Sequence, residues 1–407
     1  MTPPQSFAAL RHPDYRAYFF GAAVAMMGDS IEHVISYWIL FQKFESQALA
    51  GFAVVSHWLP FLLFSLYSGA LADRFDPRRL IQLGMALFML ASLGWALLFL
   101  FDVLEMWHAV ALLTLHGFAG VLWTPAAQIF IHQLVGEREL HSAIRLTVTA
   151  RWLGLLAGPA VGGAILLLMG PAYGLLFNVL IYLPLVLWLW KAPFTRQHAR
   201  APAIRSFAEL ARVARAIAAE RTIVSMTLLA GGASLIVGNA YQAQMPEFAR
   251  DLGHGDADFS YTMLLAADAA GALIAGLVLE SRGLLPPKPR TAFVLAMLWC
   301  LALGGFALST SYPLALALLF AAGFLELAFY AMAQTLAQVR APDALRGRVI
   351  GLFVMASLGL RAFSGLTVGL GGAAIGIHWS LALSAMLFLA ATAVSFIRIG
   401  SNNGRVE

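Results

Sequence analysis

An all-α integral membrane protein of twelve transmembrane helices in two pseudo-symmetric six-helix halves is the fold the sequence predicts. Three observations predict it. Of 407 residues, 60% are hydrophobic and only 12% charged, against about a quarter charged in a soluble domain. Twelve stretches reach the ~20 mostly apolar residues a helix needs to cross the hydrocarbon. The basic residues gather in alternate connections between those stretches, as they do in multi-pass proteins.

The predicted spans run over 15–41, 50–72, 80–101, 107–131, 142–169, 172–190, 223–245, 259–280, 291–310, 313–338, 349–371 and 379–398. The first is not a signal peptide: it is too long, holds Asp29 and Glu32, and has no small-residue cleavage site after it. Cys300 is the only cysteine, which excludes an intramolecular disulfide and a cysteine-rich metal site. With both termini placed inside, 21 of the 26 Lys and Arg fall in cytoplasmic segments, two (Lys43, Arg250) in external loops and three (Arg145, Arg151, Arg361) at membrane depth. The loop after span 3 offers only Asp102 and Glu105, and the loop after span 7 is mostly acidic, with Glu247, Asp251, Asp256 and Asp258. This asymmetry puts both termini in the cytoplasm, so the net positive charge is a topology signal rather than a nucleic-acid footprint.

A polar interruption divides the chain into a first half (1–190), a cytoplasmic linker (191–221) and a second half (222–407). Within the linker, Phe207, Leu210, Ala214 and Ile217 share one helical face and arginines the other, which predicts an amphipathic helix lying on the inner leaflet. Gly69 and Asp73 recur as Gly276 and Glu280, at an offset of 207, and Gln133 and Leu140 recur as Gln338 and Leu345, at 205. Two connections agreeing on nearly one offset argue for duplicated halves, with the site between them near the midplane. No P-loop, H-E-x-x-H or G-x-S-x-G is present, so the expectation is that the chain is not an enzyme and does not hydrolyse ATP by that device.

The connection Gly69-Ala-Leu-Ala-Asp73-Arg74-Phe-Asp-Pro-Arg78-Arg79 reads G-x-L-x-D-R-x-x-x-R-R, and it resembles the loop between helices 2 and 3 of major facilitator superfamily transporters. The resemblance covers nearly the whole chain. Leu10-Arg11-His-Pro-Asp-Tyr15-Arg16, Gly28-Asp29, Thr124-Pro125-Ala126, Glu139-Leu140 and Pro342-Asp343-x-Leu345-Arg346-Gly347-Arg348 look like the bacterial enterobactin-exporter-like branch. Arg151 followed by Gly154, Gly158, Pro159, Gly162 and Gly163 is similar to the span-5 motif of proton-coupled antiporters. By resemblance, Asp73 with Arg74, Arg78 and Arg79 forms a cytoplasmic gate that locks near Arg346 and Arg348. Two departures stand out. The span-4 arginine of many drug antiporters is absent from Leu112–Gly117, and Asp268 occupies a position where the branch carries a small residue.

Ionisable groups at membrane depth cost roughly 2.5–3.5 kcal/mol each on insertion scales and mark pathways or relays. Asp29, Glu32, His33, Ser36 and Tyr37 fall on one stripe of span 1, facing either the cavity or a neighbouring span. Asp29 is the leading proton carrier. Glu326 and Arg361 lie at similar depth in spans 10 and 11, and Asp268 is expected to border the cavity opposite Arg361. Arg151 reads as a gate or anchor, with the span-5 glycines allowing close helix approach and Pro159 bending the helix. His57, His116 and His132 read as lone core histidines. Trp107, Trp123, Trp188, Trp190 and Trp379 read as interfacial anchors, with Trp58 and Trp152 candidates for the pathway.

These readings converge on a secondary active transporter in the bacterial inner membrane. It exports a siderophore-like or other amphiphilic metabolite by proton antiport with alternating access. A broad multidrug or lysophospholipid carrier is the alternative, and a non-transporting receptor or scaffold a distant one. The expected partners are the small-molecule substrate, protons and the lipid bilayer, with no nucleic acid, no cofactor and no metal, and a monomeric protein.

Overall fold

The computed structural model describes residues 6–44, 47–192, 215, 217–238, 240–253, 257–364 and 370–403. The first half contains α1 (Pro13–Phe44), α2 (Gln47–Arg74), α3 (Pro77–Leu100), α4 (106–135), α5 (137–169) and α6 (171–191). The second contains α7 (Arg221–Ile236), α8 (Ala257–Ser281), α9 (Pro289–Ala307), α10 (Tyr312–Val339), α11 (Arg346–Ser357) and α12 (Ile377–Asn403). One apolar core runs through the second half from Ile217 to Phe388, while the first half carries two. Ile350, Val354 and Leu358 join one of those across the divide. Of the amphipathic linker face, Phe207, Leu210 and Ala214 lie outside the described residues; Arg215 is exposed and Ile217 buried.

Local chemistry sets several of these ends. Asp76 caps α3 by accepting from the Arg78 backbone N–H at 2.9 Å, with Pro77 at the first helical position. Between α4 and α5 the sequence predicts a connection from 132 to 141, but the structure has only Gly136, at φ 69°, before helix resumes. Gly170, at φ 74°, joins α5 to α6 in the same way. Both residues sit in the left-handed region that glycine enters without a Cβ penalty.

Two predicted spans are broken. After α7 come a left-handed Gly238 (φ 54°) and two short helices, Ala240–Ala243 and Met245–Asp251. α11 gives way to a 3₁₀ turn, Gly359–Phe363, with a further short helix at Leu370–Ile375. The breaks abut: a Cβ on Gly238 would overlap Ser364, and the Ser234 hydroxyl donates to the Ser357 carbonyl at 2.5 Å. Tyr330 lies 3.2 Å from the Ser357 hydroxyl. Side chains thus satisfy backbone groups that the broken helix leaves free, the condition for irregular backbone at membrane depth. α5 stays helical through Pro159.

Eight helical stretches among the described residues are long and apolar enough to cross a membrane, one of them (Met106–Gly154) running through Gly136. α1 is not among them, because its polar stripe lowers its hydropathy. Trp107, Trp190 and Trp379 are exposed near helix ends, whereas Trp123 is buried against Phe88 and anchors nothing at an interface.

Candidate functional site

The halves meet tightly where the repeated motifs lie. Asp73, at the end of α2, accepts from the backbone N–H groups of Gly347 (2.5 Å) and Arg348 (3.1 Å) at the start of α11. A carboxylate at a helix N-terminus satisfies donors that have no intrahelical partner. The approach needs glycine: a Cβ on Gly69 would overlap the Gly347 carbonyl, and one on Gly351 the Ser65 carbonyl. The duplicated motif does the same work in the other half. Glu280 of α8 accepts from Ser142 and pairs with Arg145 of α5 at 3.5 Å, and a Cβ on Gly276 would overlap Thr149. Gln338 donates to Gln128 at 2.7 Å between the same faces.

The basic residues of this region behave differently from the expectation. Arg78 turns back to Asp76 (2.7 Å) and to the Ala192 carbonyl (2.5 Å), so it stiffens its own turn. Arg79 bonds Gln82, and Arg74 lies over Phe75. Arg346, buried, pairs with Asp343 (2.9 Å) and Glu137 (3.3 Å). What joins the halves here is a set of carboxylates, Asp73 on backbone donors and Glu280 and Glu137 on Arg145 and Arg346. Asp73→Asn keeps the shape but loses charge assistance of about 1–2 kcal/mol. The closed state on this face should then lose population about five- to thirtyfold. Spin-label pairs on the α2–α3 and α10–α11 connections measure it, and an unchanged distance distribution rules the lock out.

Deeper in the bundle, groups from both halves converge. Arg361, on the 3₁₀ turn after α11, pairs with Glu326 of α10 at 3.8 Å and lies over the Trp58 ring of α2 at 5.5 Å. Arg151 of α5 is exposed, within electrostatic range of Arg361, Tyr330, Asp29 and Glu326. A small pocket within the second half is lined by Glu326, Arg361, Tyr330, Trp299 and Phe329. The span-5 glycines explain how α1 reaches this centre. Cβ atoms on Gly158 and Gly162 would crowd Ser30 and Val34, and Gly154 faces Met26, so α5 presents a smooth strip to α1. Gly163 faces open space.

The α1 stripe divides. Glu32 and Ser36 are buried, while Asp29 and His33 keep 31% and 22% of their side chains exposed. Glu32 accepts from Ser92 of α3 and lies 2.8 Å from His116 Nδ1 of α4. Asn178 donates to Ser92 and to the Gly28 carbonyl, both at 3.0 Å. Asp29 Oδ1 is 2.8 Å from His116 Nε2. His57 and His116 are therefore not lone core histidines. Their ring centroids lie 5.0 and 4.5 Å from that of His33, and three spans bring them together.

Asp268 corrects another expectation. It is 1% exposed and does not border the cavity or meet Arg361; its Oδ2 accepts from Tyr241 (3.1 Å) and Gln242 (3.2 Å) in its own half. It is a polar link between α8 and the broken segment after α7. Residues with no signal in the sequence include Ser92, Asn178 and Tyr330, each an ordinary polar residue in an apolar helix. Glu280 was legible as a repeat of Asp73, but its partners Ser142 and Arg145 were not.

Two six-helix halves closing on one face around a shared polar centre define a membrane transporter of the alternating-access kind. The chain belongs to the major facilitator superfamily: the model of its transmembrane secretion effector family matches residues 4–402. It is therefore among transporters and not enzymes. It is 25% identical to the enterobactin exporter EntS of Shigella boydii over 351 residues, covering 84% of this chain and 81% of that protein. An Escherichia coli protein of the same name is 24% identical over the same coverage. In fold it is similar to the E. coli fucose:proton symporter FucP (TM-score 0.73, 16% identity, 95% of this chain and 99% of that one). A bacterial homologue of the iron transporter ferroportin in an outward-facing state matches at a TM-score of 0.70, with 17% identity and the same coverage.

Proposed function

We propose that this protein exports a small organic molecule from the bacterial cytoplasm by proton antiport, alternating access around the Arg151–Glu326–Arg361 centre. The observation that carries the reading is the convergence there of an arginine from the first half with a carboxylate and an arginine from the second, beside a small pocket. The arginines suit acidic or phenolic oxygens, and Trp58, Trp299 and Phe329 suit flat apolar surface. A siderophore-like amphiphile offers both. The likeness to proteins called enterobactin exporters supports that class.

Coupling is assigned to Glu326. Facing the cytoplasm, its carboxylate is ionised and accepts from donor groups of the cargo. Facing the more acidic outside, it takes a proton, loses that acceptor role and lets the cargo leave. Cargo and proton then exclude each other, which antiport requires. Asp29, the leading carrier by sequence, is less suited because it is drawn into the histidine cluster, its Oδ1 2.8 Å from His116 Nε2. The distribution of the 26 basic residues supports both termini being cytoplasmic, and the likeness to bacterial exporters supports an inner-membrane location.

Flux into proteoliposomes of purified protein tests this. Uphill movement of a catecholate siderophore should follow an imposed pH gradient and collapse with a protonophore. Flux indifferent to the gradient overturns antiport, and no flux of any siderophore overturns the cargo class. The aromatic pair Trp299–Phe329 lining the pocket, with Trp58 under Arg361, favours one second reading, a broad carrier of lipophilic drugs. Competition by such drugs in the same vesicles would identify it.

A further inference from the structure

We propose that the first half holds a binding site for a divalent d-block cation of the zinc type, ligated by His33 of α1, His57 of α2, His116 of α4 and Asp29 of α1. One ring nitrogen from each histidine lies within 4.8 Å of the other two. His33 Nδ1 lies 2.8 Å from the Asp29 carbonyl, and donating to it leaves Nε2 as the free lone pair. His57 Nδ1 is buried without a hydrogen-bond partner. His116 Nε2 lies 2.8 Å from Asp29 Oδ1 yet lacks hydrogen-bond alignment. Two electron-rich atoms converging off-line suit a cation held between them better than a proton.

The surroundings fit the same ion. Glu32 takes the Nδ1–H of His116, Ser92 donates to Glu32, and Asn178 donates to Ser92. A carboxylate behind a ligating histidine fixes its tautomer and raises its basicity. Three neutral imidazoles with two carboxylates carry −2, which a dication cancels. Tetrahedral zinc with nitrogen ligands at about 2.0–2.1 Å needs them a little over 3 Å apart, so the trio closes by side-chain rotation. Imidazole and carboxylate donors without thiolate exclude a Cu(I)-type preference. The site adjoins the proposed cargo centre, His57 lying beside the Trp58 ring that Arg361 covers, and does not depend on the cargo's identity.

The test is equilibrium binding of Zn²⁺ and Co²⁺ to full-length, tag-free, metal-stripped protein in detergent. Wild type should bind one equivalent, Co²⁺ giving the intense visible absorption of a four-coordinate ion. His57→Ala and His33→Ala should each weaken binding by at least about a hundredfold. Glu32→Gln, which leaves every ligand in place, should weaken it about 10- to 100-fold. Elution as a monodisperse peak certifies that each variant is folded, and His33, partly exposed, serves if His57→Ala is not. Absence of stoichiometric binding by wild type, or binding unchanged in a folded His33 or His57 variant, overturns the site.

Discussion

Glu326→Gln should abolish uphill transport while leaving cargo exchange measurable. Glutamine keeps the size and an acceptor oxygen but cannot gain or lose a proton, so cargo and proton no longer compete. Gradient-driven accumulation in proteoliposomes should fall at least about a hundredfold, to the level of empty vesicles, while counterflow under equal pH on both sides persists within about tenfold. The Arg361 partner at 3.8 Å loses its counter-charge in this variant, which in a buried setting destabilises. Folded yield therefore has to be checked alongside, and Glu326→Asp should restore part of the coupling. Accumulation that survives Glu326→Gln moves the carrier elsewhere.

Gly69→Leu should stop transport by a different route. Any side chain at 69 meets the Gly347 backbone, and backbone, unlike a flexible side chain, cannot step aside. Overpacking of this kind costs about 1–3 kcal/mol or more, all of it in the state where α2 and α11 are closed. The closed population on this face should fall at least about tenfold, and turnover with it. Gly163→Leu provides the control: a Cβ there meets nothing within 4 Å, and transport should stay near wild type. Equal loss in both variants would point to general destabilisation rather than to the crossing.

Much of the fold was legible because the bilayer imposes one rule on every span, so length and apolarity place ten of the twelve elements well. The contact between the halves was legible for a related reason. Its parts are local motifs, Gly69–Asp73 and Gly276–Glu280, and duplication prints them twice. The breaks after α7 and after α11 were not legible, since nothing in Ser234 or Ser357 alone says that one supplies the other's missing partner. Pairing across helices was the least accessible. Asp268 looked isolated because its partners, Tyr241 and Gln242, lie 27 and 26 residues away in sequence. His33, His57 and His116 have no motif spacing, because three separate spans deliver one side chain each. Only the α1 stripe, a single-helix pattern, announced itself, and even there burial separated Glu32 from Asp29.

The single-residue joints at Gly136 and Gly170 leave α4, α5 and α6 no slack. A hinge needs several residues across which to share a rotation, and one left-handed glycine between continuous helices offers almost none. Whatever moves α5 against α8 must carry α4 and α6 along as cargo of the same lever. Probe pairs confined to these three helices should then keep fixed separations through the whole cycle, giving an internal ruler against which motion between the halves can be read.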